Sequence, residues 1–273
     1  MTGQRERERA RAFHALHTSD RILVLPNAWD AASARIFELA GAPAVATTSS
    51  GLAATLGYPD GERIPCELVV GAVRRITATV DIPVSVDFER GYAAEPRQVA
   101  VNVQAVIDAG GVGINIEDGR DDPAVLVAKI AAIRALPGAR DGGLFVNART
   151  DVFLRGRGPQ AELVAETIRR LHAYEAAGAD GLFVPGISDP DSIAQVVTAV
   201  RLPLNVMAFE GVPPAKELER LGVRRVSVGS GPMRATLALA RRIATTLLQE
   251  GTYETFLHDT PSHAEVNGMF GRA

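Results

Sequence analysis

Eight short runs rich in valine, isoleucine and leucine recur along the chain, each followed by an alanine-rich amphipathic stretch, and this alternation restricts the fold more than any other feature. The runs lie at 22–25, 44–48, 84–88, 113–117, 144–148, 181–184, 204–208 and 225–228. A strand, a helix and a further strand in sequence build parallel pairs joined by crossovers. The run starts are about 29 residues apart on average, close to the roughly 31 expected of one eighth of a typical barrel chain. An open doubly wound sheet alternates in the same way, so the count of eight is what favours closure into a (β/α)8 TIM barrel.

Local signals agree with that reading. Asp30 ahead of Ala31-Ala32-Ser33 predicts a helix N-cap, and Gly41, Gly110, Gly178 and Gly222 fall where helices should stop. No linker divides the chain, which predicts one domain over residues 1–273. A helix is expected at about 3–18 and a helical arm at about 232–273. The 29 basic residues against 32 acidic ones give net −3, so nothing in the charge favours a nucleic-acid partner. No uninterrupted apolar stretch reaches the roughly 18 residues of a membrane span, and no apolar segment follows the charged start as a signal peptide requires. The single cysteine, Cys66, permits no internal disulfide and fits a reducing cytoplasm.

In such a barrel the C-terminal strand ends form the active face, and several ends here are acidic. Val86-Asp87-Phe88-Glu89 places Asp87 and Glu89 on one face. Ile116-Glu117-Asp118 ends another run, and Tyr58-Pro59-Asp60-Gly61-Glu62 follows the second. Carboxylates gathered in a water-poor mouth repel one another unless a hard divalent cation, Mg²⁺ or Mn²⁺, neutralises them. The competing reading is that these acids cap helices, Asp118 above all. Ser49-Ser50-Gly51-Leu52 reads as a backbone anion nest or as an ordinary turn. Asn147, Arg149 and Asp151 share a face, with Arg149 a substrate clamp or a structural counter-ion. Gly229-Ser230-Gly231-Pro232 reads as a phosphate turn or as the opening of a helix. The histidines at 14, 17, 172, 258 and 263 lie away from strand ends and are expected at the surface or an interface. Cys66 reads as a structural thiol.

The segments Ser49-Ser50-Gly51-Leu52, Tyr58-Pro59-Asp60, Val86-Asp87-Phe88-Glu89-Arg90-Gly91-Tyr92, Ile116-Glu117-Asp118 and Asn147-Ala148-Arg149-Thr150-Asp151 occur in an order and spacing that resembles the isocitrate lyase/phosphoenolpyruvate mutase superfamily. Pro26-Asn27-Ala28-Trp29-Asp30, Leu204-Asn205-Val206-Met207 and Arg225-Val226-Ser227-Val228-Gly229 extend the resemblance over about residues 20–245. It implies a (β/α)8 barrel that binds Mg²⁺ (or Mn²⁺) and a small 2-oxo acid and works through a metal-bound enolate. By that resemblance Asp87 is the direct metal ligand, and Asp60, Glu89 and Glu117 reach the ion mostly through water. The backbone at Ser50, Gly51 and Leu52, beside Thr48, holds the substrate carboxylate. Asp87, Arg149 and Asn205 also face the substrate, and Arg149 and Glu117 form the catalytic pair. Helix exchange through the segment from about Pro232 implies a homodimer or homotetramer, with no nucleic-acid or membrane partner.

Departures from the family pattern narrow the chemistry. The lyases carry a thiol-bearing gate after the fourth strand, and the mutases and phosphonopyruvate hydrolases place Lys and Asn there. This chain has Gly119-Arg120-Asp121-Asp122-Pro123 instead. Thr48 stands where relatives use an aromatic, and Glu89 where they have a second Asp. The expectation is a Mg²⁺-dependent lyase cleaving a C–C bond of a small 2-oxo or 2-hydroxy dicarboxylic acid, oxaloacetate decarboxylase or methylisocitrate-lyase-like. Carbon–phosphorus chemistry on phosphonopyruvate or phosphoenolpyruvate, or keto-acid binding without turnover, are the alternatives. Phe209 and Glu210, after the seventh run, read as specificity residues or as ordinary loop residues.

Overall fold

All eight runs are strands in the computed structural model, which describes residues 2–140 and 142–270. The strands are β1 (Leu23–Leu25), β2 (Asn27–Ala28), β3 (Val45–Thr47), β4 (Val84–Asp87), β5 (Gly113–Glu117), β6 (Phe145–Arg149), β7 (Gly181–Val184), β8 (Leu204–Met207) and β9 (Arg225–Ser227). Every pairing is parallel, in the order β1-β9-β8-β7-β6-β5-β4-β3-β2. The ninth strand is a correction to the count of eight. Pro26 has no N–H to give to a ladder and divides the first stretch in two, while its carbonyl still accepts from the Ala46 N–H at 2.9 Å. One half pairs with the last strand and the other with the next, which closes the ring.

Strand alternation sorts the side chains into two populations. Val84, Val86, Ile114, Ile116, Val146, Ala148, Leu182 and Val206 pack outward against helix residues such as Val73, Val103 and Ile130. Inside the barrel the same strands carry polar residues bonded to one another. Asn147 Nδ2 donates to Asn115 Oδ1 at 2.8 Å, and Ser227 Oγ donates to Asn205 Oδ1 at 3.4 Å. The helix Thr2–Thr18 closes the N-terminal end. Its Phe13 is fully buried and lies so near Gly113 that a Cβ there would approach the Phe13 ring to 2.8 Å. His17 overturns the surface expectation: it is buried, stacks on Phe145 at 3.9 Å and bonds the Phe13 carbonyl at 2.8 Å. Packing of the end plug, invisible in local sequence, is the reason.

Helix boundaries follow the predicted chemistry. Asp30 and Ser33 form a reciprocal capping box at the start of Ala31–Leu39, and Gly41, Gly110, Gly178 and Gly222 take left-handed φ between 90° and 100°. Ser49–Thr55 is a short helix, where sequence reading left a turn or a nest. Gly51 serves packing there, since a Cβ would lie 2.6 Å from Trp29 Cβ. Gly231–Thr245, continued by Thr246–Glu250, begins at the turn containing Pro232. On Gly231–Thr245 only Met233 is buried, and Leu237 stays 55% exposed, so this helix does not cover its own barrel wall. The tail turns back, and Arg35 Nε donates to the Met269 carbonyl at 2.8 Å. Among the described residues no helix is long and apolar enough to cross a membrane.

Candidate metal and substrate site

The C-terminal mouth gathers most of the residues singled out from sequence. Asp87 ends β4, its backbone N–H bonded to Thr47 Oγ1 at 2.9 Å. Its Oδ2 accepts the Ser49 N–H at 3.1 Å, so the first amide of Ser49–Thr55 is aimed at this carboxylate. Its Oδ1 is buried with no hydrogen-bond partner among the described residues. A buried carboxylate oxygen left unpaired is costly, and a cation is one group that satisfies it.

Glu89 and Glu117 are both buried around it. Burial pushes the Glu89 carboxyl up to about 7, against a 2.8 Å hydrogen bond from Tyr92 OH, and Asp87 and Asp60 add repulsion. Burial likewise pushes Glu117 up to about 8 despite its 2.7 Å ion pair with Arg149, with Asp151, Asp87 and Glu89 repelling it further. Asp60 is exposed on its loop yet close enough to be felt by Glu89. The expected crowding of acids is therefore present, and its electrostatic cost shows in those two carboxyls. Among the described residues no three His, Cys, Asp or Glu side chains lie close enough to ligate one ion directly. The arrangement fits a hard cation held by Asp87 and reached by Glu89, Glu117 and Asp60 through water, the habit of Mg²⁺.

Arg149 ends β6 beside this cluster. Its Nη1 pairs with Glu117 Oε2 and its Nε with Asp151 Oδ1, both at 2.7 Å, and its guanidinium lies 5.7 Å over the Phe183 ring. Asp151, fully buried, also accepts from Arg155 Nε at 2.8 Å. Thr48 and Leu52 are buried and Ser50 half-buried at the opening of Ser49–Thr55. Asn205 is buried in β8 with its Nδ2 unpartnered. Phe209 and Glu210 are exposed and line a separate cavity with Met207 and Arg234.

Asp118 is not a helix cap, contrary to its sequence reading. It is buried and accepts from Thr150 Oγ1, Tyr174 OH, Arg170 Nη1 and the Asp151 N–H at 2.7–2.9 Å, while Asp122 caps Pro123–Arg134. Asp118 thus anchors the Arg149 loop from behind. Glu62 is a brace that no sequence motif marks: its Oε1 accepts from the Arg90 and Tyr92 N–H groups at 3.1 and 2.7 Å, and its Oε2 from Arg90 Nη2 at 2.9 Å. It holds a strained turn, since Glu62, Glu89 and Tyr92 all have φ between 46° and 58°. Nothing local in the sequence marks those tertiary bonds. Cys66 is half-buried, and burial pushes its thiol up to about 11, so it stays protonated as a structural residue would.

The structure is a parallel β/α barrel, acidic at its C-terminal mouth and carrying an arginine paired to one of those acids. The chain belongs to the phosphoenolpyruvate phosphomutase family, whose model matches residues 13–248, and so to the isocitrate lyase/phosphoenolpyruvate mutase superfamily of lyases and mutases. An uncharacterized protein of Mycobacterium tuberculosis is 40% identical over 85% of this chain and 87% of its own length. An oxaloacetate decarboxylase of a Bradyrhizobium species is 30% identical over 94% of this chain and 90% of its own. The structure of a phosphonopyruvate hydrolase complex with oxalate and Mg²⁺ superposes with a TM-score of 0.83 at 26% identity, covering 96% of this chain and 94% of that one.

Proposed function

We propose that the protein is a Mg²⁺-dependent carbon–carbon lyase acting on a small 2-oxo or 2-hydroxy dicarboxylic acid, with decarboxylation of oxaloacetate its foremost reaction. One observation carries this reading: the unpartnered, buried Oδ1 of Asp87 sits among repelling carboxylates beside the Arg149–Glu117 pair. A bound divalent cation supplies Lewis acidity toward the carboxylate and keto oxygens of such a substrate.

The chain's own groups do the rest. Arg149 has Nε and Nη1 committed to Asp151 and Glu117, which leaves its Nη2 edge for an oxygen that gains charge as an enolate develops. In this reading Glu117, which burial leaves able to hold a proton near neutral pH, exchanges that proton with the enolate carbon. The first turn of Ser49–Thr55, with Ser50, Gly51 and Leu52 beside Thr48, receives the substrate carboxylate, and Asn205 offers its unpartnered amide from the barrel floor. The short loop 119–122 holds no thiol or lysine, and departing carbon dioxide needs no acid from a gate.

The deciding experiment incubates the protein with Mg²⁺ and oxaloacetate, 2-methylisocitrate, citramalate, isocitrate or phosphonopyruvate, and follows pyruvate, glyoxylate and phosphate. Pyruvate from a dicarboxylic or tricarboxylic acid, abolished by EDTA and restored by Mg²⁺, is expected. Phosphate release from phosphonopyruvate alone would replace this reading with carbon–phosphorus chemistry. Mg²⁺-dependent binding without turnover would replace it with a keto-acid-binding role.

A further inference from the structure

Arg225 opens β9 inside the barrel and is completely buried. Buried arginines normally sit against a carboxylate, because an uncompensated charge in a dry interior is costly. Arg225 forms no ion pair among the described residues. Its Nη2 donates to Asn115 Oδ1 at 3.2 Å, and its Nε and Nη1 have no hydrogen-bond partner among the described residues.

Its position is specific. Asn115 lies on β5, directly opposite Asp87 in the β4–β5 register, so the Arg225 side chain crosses the barrel from β9 to the level of the candidate metal ligand. Ser85 Oγ, Asp87 Oδ1 and Asn205 Nδ2 are likewise buried and unpartnered, and Asn205 is the register partner of Arg225. Orphaned donors and acceptors thus line the barrel interior beneath the mouth. Burial lowers the proton affinity of the guanidinium, and the charge of Asp87 opposes that effect. Phe13 and His17 seal the barrel end below.

We infer that Arg225 is a positioning residue: a fixed positive charge under the site that weakens binding of a divalent cation alone and strengthens binding of the anionic substrate, so that cation and anion bind tightly only together. The inference rests on the metal-and-oxo-acid reading above. A cation and a buried guanidinium a few side-chain lengths apart repel through a partly desolvated interior, whereas a dianion is attracted by the same charge. Interactions of that kind are large enough to change binding by roughly tenfold.

The test measures Mn²⁺ binding alone, by calorimetry or electron paramagnetic resonance, and oxalate binding at saturating Mn²⁺, for the wild type and for Arg225→Met, Arg225→Gln and Arg225→Lys. The two neutral variants should bind Mn²⁺ about tenfold more tightly and oxalate about tenfold more weakly, opposite signs that a packing defect does not produce. Arg225→Lys should stay within about threefold of wild type in both. Parallel weakening of both ligands, or no change, overturns the inference. So does unfolding of both neutral variants while Arg225→Lys remains folded, because the charge then serves stability. A wild-type protein that binds no Mn²⁺ removes the metal reading itself, a result separable from the others.

Discussion

Asp87 and Arg149 concentrate the consequences at the residue scale, because each has one purpose in the proposed chemistry and another in the packing. Asp87 accepts the Ser49 N–H through one oxygen and leaves the other unsatisfied. Asp87→Ala removes the unsatisfied atom, so the fold should survive while turnover falls at least about 100-fold, as loss of a central metal ligand does; full activity in this variant would exclude the metal assignment. Arg149 poses a finer choice, since its ion pairs with Glu117 and Asp151 also suit a purely structural counter-ion. Arg149→Lys keeps the charge and loses the planar paired donors. A role at a developing enolate oxygen predicts a loss of roughly 2–4 kcal/mol in the barrier, about 30- to 1,000-fold in kcat. Unchanged kcat with a lowered thermal midpoint would leave Arg149 a counter-ion. The acidic strand ends and this arginine were legible from alternation, because a strand turns every second residue to the same side. The Asp118 anchor was not, because its donors Tyr174 and Arg170 come from more than fifty residues away in sequence.

At the scale of elements, the helix Gly231–Thr245 asks for a partner. Leu237 and Leu239 are 55% and 40% exposed, and Leu248 beyond it is 87% exposed. Apolar side chains left this exposed along one helix mark an association surface. We propose a homodimer or homotetramer in which this helix packs on a neighbouring subunit. Light scattering at micromolar concentration should report a multiple of 28.9 kDa, and Leu237→Glu should shift the population toward monomer. A wild-type monomer would reject the assembly. Sequence periodicity showed that the helix is amphipathic but not which wall its apolar side meets. The same contrast holds at Ser49–Thr55, where small residues suggested a loop and close packing of Gly51 on Trp29 produces a helix.

For the whole molecule, the buried acids of the mouth link stability to pH and to metal. Glu89 and Glu117 are raised from about 4.5 to about 7 and about 8, so the folded state binds their protons more tightly than the unfolded chain does. Their contribution to stability is complete below the unfolded value and is lost as pH rises through 7 and 8. The metal-free protein should therefore show a thermal midpoint that falls between about pH 5 and pH 8, and Mg²⁺ should flatten that fall by neutralising the same carboxylates. A midpoint insensitive to pH and to Mg²⁺ would show that the acids do not interact as placed. By itself the sequence determined the parallel barrel, the strands that carry the acids and the capped or glycine-stopped helices, because hydrophobic period and turn chemistry act over a few residues. Only the tertiary structure decided that Pro26 divides the first strand, that His17 and Phe13 plug the barrel, that Glu62 and Asp118 brace the mouth, and that Arg225 lies buried without an ion pair among the described residues. Those features depend on which distant side chains close around a group and exclude water from it, and burial of that kind comes into existence only when the ring of strands closes.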